Sequence, residues 1–203
     1  MKKVSINSFL CVAPASKDEL LDFISSTKGI LVALNAEKIA RREQALVDLT
    51  WEHVAYPDGI GAVWCCRQKG ANDAVKIPGC ELWLEVIERF CETKTVYFLG
   101  ANPNTLKAAI GKLNDIYPRL KIIGSQHGYF DLSSENDVIE NVVAKAPDIV
   151  FVALGSPRQE YLMKKMFDRH PAIYQGLGGS LDVFVGNVPR APMIWQRLNI
   201  PRA

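Results

Sequence analysis

The block from Asp148 to Pro192 constrains the fold more than any other part of the chain. An apolar run over 148–154 breaks at once into a polar loop over 155–160 and a basic amphipathic segment, and a second apolar run ends in the glycine-rich stretch 176–186. Open α/β sheets build ligand sites in this order, at the carboxyl ends of their strands. The block therefore predicts a site for a polar, phosphorylated ligand.

Strands and helices alternate through the second half of the chain. Apolar runs over 95–99, 120–123 and 148–154 predict strands, and helical patterns over 106–117 and 134–145 lie between them. Such alternation is typical of a mostly parallel sheet with helices on both faces. With 203 residues, of which 48% are hydrophobic, we expect a single domain with a Rossmann-like α/β fold.

The first half of the chain is less regular. We expect an edge strand at the N-terminus, a strand over Gly29–Leu34, helical structure over Ala36–Leu49 and a helix from Gly79 to about Glu92. The stretch 56–61 contains a proline and two glycines, which predicts a tight turn.

Several common classes of function and site are not favoured. A formal net charge of +2 gives no reason to expect nucleic acid as a partner, and an odd number of cysteines, five, argues against a disulfide framework. No apolar run approaches the ~20 residues that cross a bilayer. The sequence has no Walker A loop, no Gly-x-Ser-x-Gly elbow, no zinc-like histidine pair and no Asp-x-Asp pair, and it matches the dinucleotide fingerprint only in part.

Four expected strands end in small polar loops that begin at Gly100, Gly124, Gly155 and Gly176. Glycine lets the backbone approach a ligand closely, and the helix that follows offers unpaired N–H groups to phosphate. Each glycine could instead serve only a tight strand-to-helix turn, but four such loops on one sheet edge favour a ligand site. His127 follows in the second loop and is a candidate ligand contact.

Asp58 is the candidate for acid–base chemistry. It lies between Pro57 and Gly59 in an apolar-flanked turn, where partial burial would raise its pKa toward the working pH of a general base. Pro-Asp-Gly is also a common turn tripeptide, and spacing alone favours that simpler interpretation.

Nine motifs occur in a fixed order along the chain. They are Asn35–Lys38, Tyr56–Gly59, Gly79–Trp83, Phe98–Gly100, Gly124–Phe130, Gly155–Glu160, Gly176–Asp182, Arg190–Pro192 and Trp195–Gln196. Together they closely resemble the WecG/TagA/CpsF glycosyltransferase family over nearly the whole chain from about Gly29. Asn35–Lys38 and Trp195–Gln196 look most like the enterobacterial common antigen branch of that family.

The resemblance implies transfer of N-acetylmannosaminuronic acid or N-acetylmannosamine from UDP to undecaprenyl-diphosphate-linked N-acetylglucosamine. This reaction builds bacterial surface polysaccharides such as enterobacterial common antigen or teichoic acid. It would invert the anomeric centre and need neither a metal nor another cofactor. The enzyme would be cytoplasmic and peripheral at the inner face of the cytoplasmic membrane, and a homo-oligomer is left open.

By position, the resemblance makes Asp58 the base that deprotonates the acceptor hydroxyl, and Asn35 a residue that positions the substrates. The loops and the resemblance together give the candidates for substrate binding, which are Lys76, Gly100, Gly124, His127, Gly155, Ser156, Arg158, Gln159, Gly178, Gly179, Asp182 and Arg190. Gln159 is expected at the donor sugar or its diphosphate, and Asp182 with the glycine loop around it at the nucleotide. Arg158 and Arg190 are the nearby cations available to the leaving UDP.

Two features depart from the family pattern. Lys76 and Glu81 stand where many members carry Arg and Asp. Members also continue past the Trp-Gln motif with a basic amphipathic tail, whereas this chain stops at Ala203. The expected organisation is one glycosyltransferase domain over residues 1–203 that lacks this tail.

Three alternatives stay open at the level of the sequence. The chain could be a member of the same family that uses UDP-glucose. It could be a catalytically weak paralogue that binds a nucleotide sugar. It could also be a UDP-sugar epimerase on a similar sheet, which would need a bound dinucleotide.

Overall fold

The computed structural model describes residues 1–189, which fold around a six-stranded parallel sheet. The strands are β1 (Lys2–Ile6), β2 (Phe9–Ala13), β3 (Gly29–Leu34), β4 (Val54–Pro57), β5 (Thr95–Gly100), β6 (Lys121–Gln126), β7 (Ile149–Ala153) and β8 (Ile173–Gly176). The helices are α1 (Lys17–Ser25), α2 (Ala36–Arg41), α3 (Gln44–Glu52), α4 (Ile60–Gln68), α5 (Gly79–Phe90), α6 (Pro103–Ile116), α7 (Glu135–Lys145), α8 (Arg158–Arg169) and α9 (Ser180–Val185), with a short 3₁₀ turn over Leu132–Ser134.

The six strands of the main sheet lie in the order β4-β3-β8-β7-β5-β6, and every neighbouring pair is parallel. Helices cover both faces. Leu31 and Phe98 belong to a cluster with α1, α5, α6 and α9, whereas their neighbours Ile30 and Tyr97 belong to a cluster with α7 and α8. Alternate residues of a strand face opposite sides, so the sheet is buried on both. The predicted α/β fold is confirmed.

The N-terminal strand does not extend the main sheet as an edge strand. β1 pairs antiparallel with β2 in a separate two-stranded sheet. Asn7 and Ser8 link the two strands with φ values of 45° and 76°, the left-handed pair that a tight hairpin turn requires. The chain therefore folds back on itself at once, and Phe9 and Cys11 pack the hairpin against α3 and α4.

The helical pattern over Ala36–Leu49 is two helices rather than one. Asn35 caps α2 by accepting a hydrogen bond from the Lys38 N–H, and α2 ends where Arg42 takes a left-handed φ of 48°. That conformation cannot continue a right-handed helix. α3 then begins at Gln44.

The connections create two crevices at the carboxyl edge of the sheet. From β3 the chain passes through α2 and α3 to β4, and from β4 it passes through α4, which packs with α3, to α5 on the opposite face. Likewise β7 leads to α8 on one face, and its neighbour β5 leads to α6 on the other. Adjacent strands whose connections diverge leave an open crevice, where α/β proteins bind ligands. We call these the β3/β4 crevice and the β5/β7 crevice.

Within residues 1–189, no helix combines the length and the apolar character needed to cross a membrane. Arg190 and the motifs at 190–192 and 195–196 lie outside the described residues.

Candidate active site

Asp58 and Asn35 lie at the same edge of the sheet, at the β3/β4 crevice. Asn35 directly follows β3, and Asp58 directly follows β4. The Asp58 N–H donates to the carbonyl of Leu34 at 2.9 Å, so the pairing of the two strands continues up to the site. The two residues expected to act in catalysis therefore lie at the ends of adjacent strands.

The environment of Asp58 strengthens its proton affinity. The carboxylate is half-buried, and its Oδ1 accepts a hydrogen bond from the N–H of Gly79 at 3.3 Å. Burial raises the pKa of Asp58, while the Gly79 N–H and the charges of Lys38 and Lys76 act in the opposite direction and offset only part of the rise. A carboxylate with a raised pKa at an open strand end is suited to take a proton from a hydroxyl.

A buried ion pair lies beside these two residues. Lys38 Nζ contacts Glu160 Oε1 at 2.7 Å, and only 13% and 2% of the two side chains are exposed. Lys38 also donates to the carbonyl of Ala33 at 3.1 Å, near the end of β3. The ion pair joins α2 to α8 and brings a fixed positive charge close to Asp58.

Gln159 connects α8 to the glycine loop that follows β8. Its side chain is buried, and its Oε1 accepts a hydrogen bond from the N–H of Gly178 at 3.0 Å. A side chain on Gly176 would overlap the Gln159 amide, so this glycine is needed for the close approach. The contact places Gln159 at the glycine loop over 177–179, where it holds the backbone of that loop.

Three polar atoms lie buried under the β3/β4 crevice. Tyr56 OH, Gln175 Oε1 and Glu160 Oε2 have no hydrogen-bond partner among the residues that the structure describes. Burial raises the pKa of Tyr56 well above its ordinary value, with the nearby Asp58 charge adding to the rise. The phenol therefore stays protonated, and the floor of the crevice is polar but closely packed.

The β5/β7 crevice is built mainly from backbone. Gly100 has a φ of 117°, and a side chain there would overlap the carbonyl of Ala153. Gly128 donates to the carbonyl of Ala101 at 2.8 Å and packs closely against Leu154. The loops after β5, β6 and β7 therefore meet through glycines, which serve the packing of the loops.

Asp182 lies in a hydrogen-bonded group between α6 and α9. Thr105 Oγ1 donates to Asp182 Oδ1 at 2.7 Å and accepts from Asn102 Nδ2 at the same distance. Asn187 Nδ2 donates to both Thr105 and Asp182, at 3.0 and 3.4 Å. The carboxylate expected at the nucleotide is thus held by its neighbours at the edge of the β5/β7 crevice.

Gly155, Gly178 and Gly179 differ from Gly100 in having open space where a side chain would stand. Gly155 and Gly178 adopt φ values of 76° and 52°. These positions remain available for close approach of a ligand to the backbone. Ser156, beside Gly155, is exposed.

Gly124 does not begin a loop, which corrects the expected element boundary. It lies inside β6, and a side chain there would overlap the Tyr97 ring and the Lys145 side chain. The packing of an aromatic ring across the sheet explains this glycine. The strand continues to Gln126, and the loop begins at His127.

His127 and Arg158 stand on the β6 side of the site. His127 Nδ1 is buried with no partner among residues 1–189, and its ring lies 6.4 Å from that of Tyr129. Arg158 opens α8, is exposed, and lies over the ring of Phe130 at 5.0 Å. Neither residue reaches the β3/β4 crevice through any of these contacts.

Within the described part of the chain, no three His, Cys, Asp or Glu side chains form a group that could hold a metal ion. The site thus consists of two crevices, one with a partly buried carboxylate and one with glycine-rich loops.

The model of the glycosyl transferase WecG/TagA/CpsF family matches residues 8–201 of the 203-residue chain. The chain belongs to this family. It is accordingly a glycosyltransferase of polysaccharide synthesis, and family membership implies a sugar donor and, in general, a lipid-linked acceptor.

Several residues of this glycosyltransferase have clear structural roles that sequence reasoning did not assign. Glu160, Thr105 and Asn187 carry side-chain contacts that fix the two crevices. Glu160 belongs to a recognised motif, but its partner Lys38 is 122 positions away. The Asn-Pro pair at 102–103 does predict a helix start, and Asn102 caps α6 by accepting from the Thr105 N–H. No local signal joins Thr105 to Asp182, which is 77 positions away.

Proposed function

We propose that the chain transfers N-acetylmannosaminuronic acid or N-acetylmannosamine from UDP to undecaprenyl-diphosphate-linked N-acetylglucosamine. The transfer inverts the anomeric centre and uses no metal. The observation that carries the proposal is the position of Asp58, a half-buried carboxylate with a raised pKa at the open end of β4. Asn35 follows the adjacent strand β3, and the glycine loop follows β8, the next strand in the sheet.

At the anomeric carbon the proposed step forms one bond and breaks one, and one proton moves from the acceptor hydroxyl to Asp58. The acceptor hydroxyl oxygen attacks the anomeric carbon of the donor from the side opposite UDP, and the Asp58 carboxylate takes the hydroxyl proton. The bond between that carbon and the phosphate oxygen breaks, and UDP leaves with the electron pair. A single carboxylate suffices for this inverting reaction, provided that both substrates are held in line.

We assign the binding of the UDP-sugar donor to the loops that follow the other strands. The glycine loop at 177–179 follows β8, which lies between the two crevices. Gly178 and Gly179 offer unhindered backbone, and the N-terminus of α8 presents a positive dipole end next to Gly155. We assign the sugar and diphosphate to this loop and the nucleotide to the β5/β7 crevice. Arg158, and Arg190 outside the described residues, are the cations proposed for the departing diphosphate.

The acceptor's polyprenyl chain requires the enzyme to work at a membrane surface. We therefore propose a peripheral location at the inner face of the cytoplasmic membrane. The oligomeric state is a separate question for sedimentation analysis.

The decisive assay offers UDP-N-acetylmannosaminuronic acid, UDP-N-acetylmannosamine and UDP-glucose, each with a polyprenyl-diphosphate-N-acetylglucosamine analogue. We expect transfer from one of the first two donors, an inverted product anomer by NMR, and no loss of rate with a chelator. Transfer only from UDP-glucose would identify a different donor class. Tight UDP binding by calorimetry with no transfer from any donor would identify a binding paralogue instead.

A further inference from the structure

The Lys38–Glu160 ion pair is unusual among the ion pairs of residues 1–189. It is the one in which both side chains are less than 15% exposed, whereas the other pairs have at least one well-exposed partner. Removing two charges from water costs several kcal/mol for each ion, and the attraction between them repays this only with good geometry. Stability alone is therefore a weak reason for this pair to be present.

The pair links the two halves of the site. On one side, the backbone N–H of Lys38 is capped by Asn35, and its Nζ is held by Ala33 at the end of β3. On the other side, Glu160 Oε1 also accepts from Gln159 Nε2 at 3.4 Å, and Gln159 holds the Gly178 N–H. One carboxylate thus fixes both the cation of the β3/β4 crevice and the side chain that holds the donor loop.

The pair also sets the charge around Asp58. The groups that face Asp58 are Lys38 from α2, Lys76 from the segment before α5, the Gly79 N–H from α5, and Tyr56 from β4, with Cys80 of α5 near Tyr56. Glu160 is the carboxylate that pairs with Lys38. A cation near a carboxyl group lowers its pKa, so Lys38 lowers the pKa of Asp58, and an anion paired with Lys38 weakens this effect.

We propose that Lys38 and Glu160 form a positioning pair. The carbonyl of Ala33 holds the Lys38 ammonium beside Asp58, and Glu160 offsets part of its charge. Through Gln159, Glu160 also holds the loop at 177–179 in register with this cation. Neither residue needs to touch a reacting atom. The role of the pair in catalysis rests on the proposed function, in which Asp58 is the base, but its effect on Asp58 can be measured without any substrate.

The test measures the pKa of Asp58 by carbon NMR of the labelled, substrate-free protein, with the signal assigned through Asp58→Asn. Lys38→Met should raise the Asp58 pKa, Glu160→Gln should lower it, and Lys38→Arg, which keeps the charge, should stay near the wild type. Glu37→Gln and Arg41→Met are matched controls, because this pair lies on the same helix with side chains 64% and 74% exposed. Neither control should change the Asp58 pKa.

Amide spectra check that each variant folds. If Lys38→Met does not fold, Glu160→Gln and Lys38→Arg still decide the question. An unchanged Asp58 pKa in folded Glu160→Gln would overturn the proposal, as would shifts in the same direction for Lys38→Met and Glu160→Gln.

Kinetics separate this inference from the proposed function. In the transfer assay, Glu160→Gln should lower kcat by ~10- to 100-fold because the donor loop loses its register, and the acid limb of its pH profile should move down with the Asp58 pKa. If the wild type transfers no sugar but the Asp58 pKa changes in the variants as expected, the proposed function is wrong and the effect of the pair on Asp58 is confirmed. If the wild type transfers sugar but the Asp58 pKa does not change in the Lys38 and Glu160 variants, the proposed function holds and the proposal of a positioning pair is wrong.

Discussion

The β3/β4 and β5/β7 crevices share one sheet edge but differ in what lines them. The β3/β4 crevice contains titratable side chains, namely Asp58 with Lys38 and Glu160 behind it. The β5/β7 crevice is bounded by Gly100, Gly128 and the open loop at 155–157, and the carboxylate of Asp182 at its edge is already hydrogen-bonded. The β3/β4 crevice therefore has a group that can exchange a proton with a substrate, whereas the β5/β7 crevice can contact a ligand mainly through its backbone.

This difference indicates a division between chemistry and binding. β8 lies between the two crevices, and its glycine loop is tied to α8 through Gln159. A sugar held at that loop would have the base on one side and its leaving group on the other. Substitutions in the β3/β4 crevice should therefore change kcat, and those in the β5/β7 crevice should change stability or KM.

The largest expected effect is that of Asp58→Asn on turnover. Loss of the general base should lower kcat by ~10²- to 10⁴-fold with little change in donor KM. Steady-state kinetics check this, with Asp73→Asn, an exposed aspartate in the segment before α5, as the matched control. Equal kcat values for Asp58→Asn and the wild type would show that the catalytic step does not take place in the β3/β4 crevice.

Asp58→Asn should not lower stability. Because the folded pKa of Asp58 is raised above its unfolded value, the folded state binds the proton more tightly, and stability falls as pH rises through the two pKa values. Above both values the charged carboxylate is a cost that Asn removes. Thermal unfolding at neutral pH should therefore give a Tm equal to or above that of the wild type. A clear drop in Tm would indicate that Asp58 is mainly a structural turn residue.

The second prediction compares the stability of two glycine variants, Gly100→Ala and Gly179→Ala. Gly100→Ala combines a φ of 117° with overlap on the Ala153 carbonyl, and should destabilise the protein by ~2–5 kcal/mol. Gly179→Ala meets open space and should change stability by less than ~0.5 kcal/mol. Urea unfolding compares the two.

Gly179→Ala should also change the binding of the donor. Gly179→Ala narrows the donor loop and should raise the donor KM, although it leaves the fold intact. If Gly179→Ala changes neither stability nor KM, the loop at 177–179 is not where the sugar binds.

Much of the fold could be predicted from the sequence because its signals are local. Apolar runs predicted the strands from Thr95 onward, and Asn102 with Pro103 predicts the start of α6. The resemblance gave Asp58 and Asn35 catalytic roles, and the structure places the two residues at the ends of the adjacent strands β4 and β3. Their catalytic roles stay predictions.

The rest could not be predicted because it depends on backbone exceptions and on strand order. The left-handed Arg42 divides a helical pattern that looks continuous, and Gly124 is explained only by the Tyr97 ring beside it. The contacts of Glu160 with Lys38 and of Thr105 with Asp182 span 122 and 77 positions. They follow from the insertion of β8 between β3 and β7, for which no local pattern carries a signal.

The third prediction concerns the frame of the β5/β7 crevice. Thr105→Val keeps the shape of a side chain that is 1% exposed but removes the hydroxyl that holds Asp182, and should cost ~1–3 kcal/mol of stability. Thr105→Ser keeps the hydroxyl and is the matched control. The donor KM of Thr105→Val should rise while kcat per folded enzyme stays close to the wild type. A selective loss of kcat would mean that the two crevices do not divide chemistry from binding.

The smallest expected effect is that of Arg158→Ala. Its guanidinium is exposed and rests on Phe130, so its loss should cost only ~0.5–1 kcal/mol of stability. If the same charge attracts the diphosphate, UDP affinity by calorimetry should fall a few-fold at low ionic strength and much less at high ionic strength, where exposed charges are screened. Arg169→Ala, at the far end of α8 and paired with Glu140, is the control that should leave UDP affinity unchanged. Equal losses of affinity at both ionic strengths would show that Arg158 acts through the packing of the β6 loop rather than through its charge.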